Sequence, residues 1–316
     1  MTLTVALAAV PAAAAAPAQA PAGQAKVSQP KRGGTFRYAA PLLAGTLDPI
    51  YFKTPIELTY AWPAYNALVE NDPIDLDKIG PGLADSWTLS PDGTQYTFKL
   101  HPAIRFHDGK PLTSADVKYT YEAVMKPPAG QVSRRRATFQ AVESITTPDD
   151  LRVVVKTKYP TASFLPGIAS IPILPRHLHQ QGPFVDRAVG TGPFKFVSYQ
   201  KDVELVFRRS EEYWRKGLPY LDEIRVLFMT DATARLQAMR TGRVDQYSPV
   251  GEAEERVFKQ QYADKIALVQ YPRLNVGVLH FNHKMKDKPW ADRRVAAVVQ
   301  LDPLERRLVG QRVIHD

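Results

Sequence analysis

Trp87 and Leu89 alternate with polar residues on one short segment, and Tyr96, Phe98 and Leu100 do so on the next. Pro91-Asp92-Gly93 stands between them. A period of two turns one side of each segment toward a core, and the Pro-Asp-Gly step supplies the reversal, so this stretch reads as a β-hairpin. A second Asp-Gly turn follows at Asp108-Gly109. Beyond it, Thr113-Ser114-Ala115-Asp116 has the spacing of a capping box, in which Thr113 accepts from an orphan amide and Asp116 reaches back. The helix opened there would bury Val117, Tyr121, Val124 and Met125, at i, i+4, i+7 and i+8, and would stop at Pro127-Pro128, where donors are lost.

More sheet is written around this pair of elements. Residues 33–39 enter on Gly33-Gly34 and alternate like a half-buried strand, and Leu47-Asp48-Pro49 then turns the chain. Residues 151–155, 194–197 and 203–207 are rich in Val, Phe and Leu, the last two joined by a polar turn at Gln200-Lys201-Asp202. Residues 224–228 are β-rich. Asp231 then caps a helix with Leu236 and Met239 on one face, Gly242 stops it, and Val244-Asp245 resumes an extended run. A strand, a helix and a strand in that order imply that part of one sheet is parallel, so the fold class is mixed α/β.

With 316 residues and 44% hydrophobic content, the chain can bury a sizeable core, as two domains. Beyond the N-terminus, no apolar run is long enough for a membrane-spanning helix. The opening residues 1–10, the Ala/Pro run after them and Ala18-Gln19-Ala20 resemble the apolar region and cleavage pattern of a secretory leader, without basic residues before Lys26. Export to the periplasm is the expected localisation. Zero cysteines exclude disulfides, thiol catalysis, thiolate metal sites and a lipidated Cys. The net charge of +9 is scattered apart from Arg134-Arg135-Arg136, which follows a Pro/Gly breaker and reads as a solvated loop, so nucleic acid is not an expected partner.

Several residues have the types that catalysis uses, without its spacing. His177-Leu178-His179 and the pair His280 and His283 each offer two imidazoles and no carboxylate placed to complete a metal site. His107-Asp108-Gly109 is turn chemistry before it is an acid/base pair. Gly190-Thr191-Gly192-Pro193 lacks the spacing of a phosphate loop and reads as a stiff crossing into the next strand. No nucleophile elbow, His-Glu-x-x-His helix or Cys-His arrangement is present, so neither an enzyme nor a cofactor is expected.

Two long runs carry a resemblance. The first starts at Leu83-Ala84-Asp85-Ser86-Trp87 and continues through Pro91-Asp92-Gly93-Thr94 and Phe106-His107-Asp108-Gly109-Lys110 to Val117. The second starts at Gly190-Thr191-Gly192-Pro193-Phe194, passes Tyr213-Trp214-Arg215-Lys216-Gly217 and ends at Arg240-Thr241-Gly242-Arg243-Val244-Asp245. Together they resemble the extracellular solute-binding proteins of family 5, the oligopeptide, dipeptide and nickel type that serves ABC importers.

The resemblance implies a periplasmic-binding-protein type II-like fold of cluster C, in which two lobes close over a ligand and a smaller domain is set into the first lobe. By the motifs, residues 1–30 are leader and linker, residues 31–48 and 190–270 form lobe I, residues 49–189 form the inserted domain, and residues 275–316 begin a second lobe that is largely missing. The family's Ala-Ile-Asp-Arg run is altered here around Leu301-Asp302-Pro303. The implied function is capture of peptides or related small solutes by a monomer and delivery to a membrane permease. The alternative is a truncated remnant that binds no ligand or serves only for interaction. The resemblance carries the ligand-lining role to Phe52, Lys53, Thr54 and Pro55, with Lys53 meeting a ligand carboxylate. Read as residues alone, Lys53 is equally a solvated loop lysine and Phe52 a packing residue.

Overall fold

The computed structural model describes residues 31–268 except 73, 74, 76, 77, 249, 250 and 264. The leader-like stretch, the pair His280 and His283, the expected start of a second lobe and the altered run near Pro303 lie outside the described residues. The chain divides into two compact units, Met1–Val250 and Gly251–Asp316. Among the described residues no helix is long and apolar enough to cross a membrane.

The first unit contains, in chain order, β1 (Thr35–Ala40), α1 (Pro55–Ala61), β2 (Val69–Asn71), β3 (Ile79–Pro81), β4 (Ala84–Leu89), β5 (Gln95–Leu100), α2 (Ser114–Met125), β6 (Val142–Asp149), β7 (Arg152–Thr157), α3 (Phe164–Ile168), α4 (Arg176–His179), β8 (Phe194–Gln200), β9 (Glu204–Arg209), β10 (Glu223–Phe228), α5 (Ala232–Arg240) and β11 (Gln246–Tyr247). The second unit contributes α6 (Glu252–Gln261), tied along its surface by the Lys259–Glu255 pair at 2.6 Å.

The predicted hairpin is β4–β5, with Trp87 opposite Phe98 and Leu89 opposite Tyr96. It extends to a four-stranded antiparallel sheet in the order β4-β5-β7-β6. Along β5 and β7 burial alternates, so Tyr96, Phe98, Leu100, Val153 and Val155 face one side. There α2 brings Val117, Tyr121 and Val124, all fully buried, and α3 adds Phe164, whose ring lies 5.0 Å from that of Tyr96. The α2 cap forms as its spacing predicts: the Thr113 N–H donates to Asp116 Oδ2 at 2.9 Å. Asp116 Oδ1 also accepts the N–H of Arg176, which fastens α4 to the start of α2. Two details depart from the sequence pattern. Leu89 is 50% exposed, because it closes an edge strand that has only β5 beside it. On α5 it is Arg235 and Ala238 that are buried, with Leu236 and Met239 half-buried. The Arg235 guanidinium donates to the carbonyls of Met229 and Thr230, both at 2.8 Å, and so satisfies the chain as it leaves β10.

The other sheet has the order β11-β1-β10-β9-β8. The predicted strand-helix-strand unit is present as β10-α5-β11, capped by Asp231 Oδ1 accepting from Ala234 N at 2.7 Å. Its two strands are not neighbours. β1 lies between them, parallel to both, so the start of the described chain is locked into a sheet otherwise built from residues 194–247. Asn66 helps hold this sheet's connections to the β2 region. Its amide donates to Glu70, while its carbonyl accepts from the Trp214 indole at 3.2 Å. Arg215 completes the clasp on Glu70 at 2.8 Å and lies 4.6 Å over the Trp214 ring.

His107 belongs to the turn that the sequence indicates, and Gly109 has the φ of +87° that such a turn requires. The imidazole itself packs against the glycine crossing. Nε2 lies 2.9 Å from the Gly192 carbonyl, and Nδ1 faces the Gly190 N–H at 3.5 Å. This pattern suits a neutral ring with its hydrogen on Nε2, since a second proton on Nδ1 would point at another donor. Burial, the largest influence, lowers the His107 pKa from 6.5 to about 4. The unfolded chain therefore takes up this proton first as pH falls, so the stability contributed is complete above pH 6.5 and is lost on the way down to about 4. At 1.36 kcal/mol per unit, urea titrations should show a loss of about 2 to 3 kcal/mol between those limits from this group. His107→Gln should flatten that part of the profile; an unchanged slope would assign it to other groups.

Candidate functional site

The Leu47-Asp48-Pro49 turn and the residues after it form a loop whose backbone is held from beneath by two buried carboxylates. Asp48 is fully buried. Its Oδ1 accepts the N–H groups of Ile50 and Tyr51 at 3.0 and 3.2 Å. Its Oδ2 takes the N–H of Phe184 at 2.9 Å and Nε2 of His179 at 2.8 Å. On the far side of that ring, His179 Nδ1 lies 2.8 Å from the Tyr119 hydroxyl. Burial, with the Asp48 charge second, raises the Tyr119 pKa. The Asp48 carboxylate can only accept, so the imidazole hydrogen on Nε2 is directed at it.

Glu57 is the second anchor and is 4% exposed. One oxygen accepts from Gly45 N at 2.9 Å, and the other from Lys53 N and Thr54 N at 2.6 and 2.9 Å. Charge-assisted bonds of this kind are about twice as strong as neutral ones, so the loop between Gly45 and Thr54 is pinned at both ends. Glu57 has a local sequence signal of its own. Thr54-Pro55-Ile56-Glu57 is a capping box with proline at the first helical position, and α1 starts there.

The four sequence-derived site residues fall on this loop and differ in placement. Phe52 is 3% exposed, a packed side chain. Lys53, Thr54 and Pro55 are exposed, with Thr54 serving as the N-cap of α1. Among the described residues the Lys53 ammonium has no carboxylate partner. The ring of Phe52 has a neighbour from far along the chain: the Arg135 guanidinium carbon sits 5.9 Å from its centroid. The basic triplet is therefore not uniformly solvated as its composition suggests. Arg134 and Arg136 are exposed, but Arg135 is half-buried, because it caps the short turn Arg136–Phe139, whose Phe139 enters the core.

The two histidines of α4 act apart. His177 Nε2 meets Asp108 Oδ2 at 2.6 Å and His179 meets Asp48. The sequence offers neither carboxylate as a neighbour, since Asp108 and Asp48 lie 69 and 131 residues earlier. Among the described residues no three His, Asp or Glu side chains gather as a metal site. A cavity of about 630 Å³ opens between α2 and β6, with Tyr51, Tyr119, Glu122, Met125, Lys126 and Ile145 among its walls. None of Phe52, Lys53, Thr54 or Pro55 lines it.

Residues 78–296 match the family described as bacterial extracellular solute-binding proteins, family 5 Middle. The chain belongs to that family. It is 31% identical over 233 residues to the glutathione-binding protein GsiB of Pectobacterium atrosepticum, with 72% of this chain and 44% of that protein covered. Among solved structures it is similar to the ABC transporter-associated periplasmic binding protein DppA from Helicobacter pylori in complex with the peptide STSA. There the TM-score is 0.67 and the identity 26%, over 74% of this chain and 50% of that one. The oligopeptide-binding protein AppA from Bacillus subtilis, in complex with a nonapeptide, matches at a TM-score of 0.67 and 23% identity over 74% of this chain and 47% of its own, a likeness of fold. The family 5 chain described here thus spans half or less of the length of these relatives. Its mixed α/β architecture is that of the type II periplasmic binding proteins.

Proposed function

We propose that this family 5 chain supplies ligand-contacting surface to the periplasmic substrate-binding component of an ABC importer, capturing peptides or related small solutes for a membrane permease. In this reading Lys53, Thr54 and Pro55 line the ligand cleft and Phe52 supports it as a packed side chain, in a protein that works as a monomer. The observation that carries it is the pinned loop. Lys53 and Thr54 project from a segment whose amides are bound from below by Glu57 and whose turn is bound by Asp48. A cation and the start of a helix are thus held in place before any ligand arrives, which lowers the ordering cost of binding. Relatives with peptide and glutathione ligands in their names set the choice of probes.

The test is a thermal scan of the 316-residue chain with di- to pentapeptides and glutathione. A ligand at 100 times its dissociation constant stabilises by about 2.7 kcal/mol, which is a melting rise of roughly 5 °C for a protein of this size. Lys53→Ala should weaken peptides that have a free carboxylate severalfold, within the range of partly exposed ion pairs. No rise with any of these solutes would overturn the reading.

A further inference from the structure

We infer that Arg135 is an anion receptor beside the pinned loop, and that the solute captured there carries a carboxylate which pairs with its guanidinium. The inference deepens the ligand-capture reading and rests on it for the identity of the cleft. Its support is an unfilled requirement. An arginine has five N–H donors and keeps its charge in folded proteins, so when it leaves water it needs acceptors. The Arg135 Nε is buried and makes no hydrogen bond. Among the described residues its side chain also has no carboxylate partner; it lies over the ring of Phe52. An aromatic face attracts a cation but supplies none of the in-plane acceptors that the guanidinium fork requires.

Arg209, Arg215 and Arg225 are each met by Glu or Asp at 2.7 to 3.3 Å. Arg235 also buries an Nε without a hydrogen bond, but its Nη1 donates to two backbone carbonyls. Arg135 is the half-buried arginine left open, and desolvation lowers its pKa from the ordinary value. A planar carboxylate can accept from two of the three guanidinium nitrogens at once. Arg135 sits against the ring of Phe52, the buried residue of the pinned loop that precedes the exposed Lys53.

The experiment uses the 316-residue chain. The Nε–H resonance of Arg135, identified by its disappearance in Arg135→Lys, is followed by NMR as acetate is added. The tripeptide Ala-Ala-Ala is then added as the acid and as its C-terminal amide, and affinities are measured by calorimetry. The expected result is a saturable shift of that resonance with acetate and with the acid, and none with the amide. Arg135→Gln should weaken the acid by about tenfold to a hundredfold, the span of a hydrogen bond to a charged group, and leave the amide unchanged. Arg134→Gln should change neither. Arg135→Met should melt at or above the wild-type temperature, since it removes a buried donor without acceptor. A resonance unmoved by either carboxylate, an equal loss for acid and amide, or a marked fall in melting temperature for Arg135→Met would each overturn the inference. If neither tripeptide binds but acetate saturates Arg135, peptide capture fails and the anion receptor stands.

Discussion

Asp48→Ala is expected to lower the free energy of unfolding by about 4 kcal/mol, the range for removing one partner of a buried, charge-assisted cluster. The substitution would leave four donors without an acceptor in a site that has no exposed surface: the N–H groups of Ile50, Tyr51 and Phe184, and Nε2 of His179. The loss should be read from the urea midpoint and the melting temperature. Asp48→Asn preserves the volume but turns an NH₂ group toward one pair of these donors, so it should recover less than half of the difference. Local consequences separate this account from a general loss of packing. The amides of Ile50, Tyr51 and Phe184 should exchange faster in Asp48→Asn before those of β5 and β7 do, because the carboxylate ties the turn to residue 184 and is not part of the sheet ladder. A cost under about 1 kcal/mol for Asp48→Ala would mean that water replaces the carboxylate, and the picture of a pinned loop would then be wrong.

The second large effect belongs to the glycine crossing. A methyl group built on Gly192 would lie 2.4 Å from the Ala64 carbonyl carbon and the Tyr65 nitrogen, and 2.6 Å from the Pro63 oxygen. On Gly190 it would lie 2.2 Å from the Ala64 oxygen. These are backbone atoms of a segment already bonded to the crossing, with Gly192 N donating to Ala64 O at 3.0 Å, so they cannot move aside as a flexible side chain would. Gly192→Ala should therefore cost about 3 kcal/mol or more, the upper range of overpacking. The urea midpoint and the soluble yield both report it. Gly80→Ala is the control, since a methyl group there meets no heavy atom within 4 Å, and its effect should stay within about 1 kcal/mol. Equal, small effects at both positions would show that the crossing is looser than its distances imply.

Both predictions concern interactions invisible in the chain's local pattern, and the contrast with what was visible is instructive. The hairpin around Pro91-Asp92-Gly93, the α2 cap at Thr113 and Asp116 and the Asp231 cap of α5 are all present at the residues that announce them. Each is decided within a few residues, by turn chemistry, capping or a period of two or 3.6. The parallel strand pairing was legible in part. The strand-helix-strand order implies it, but nothing near β10 or β11 tells that β1 lies between them. Of the site residues, the loop itself followed from family resemblance, while the split between a packed Phe52 and an exposed Lys53 required the fold.

The sequence by itself determined β1, the β4–β5 hairpin, β7 to β10, and the helices α2 and α5 with their caps, together with the two long motifs by which the chain is known as a family 5 solute-binding protein. Only the tertiary structure decided that Asp48 meets His179, that Glu57 closes the loop on Gly45 and Thr54, and that Arg135 lies over Phe52 without a carboxylate. The reason is the range of the forces. Backbone conformation answers to neighbours along the chain, whereas a buried polar group must find its partner wherever the topology brings one, and where it brings none the requirement remains open.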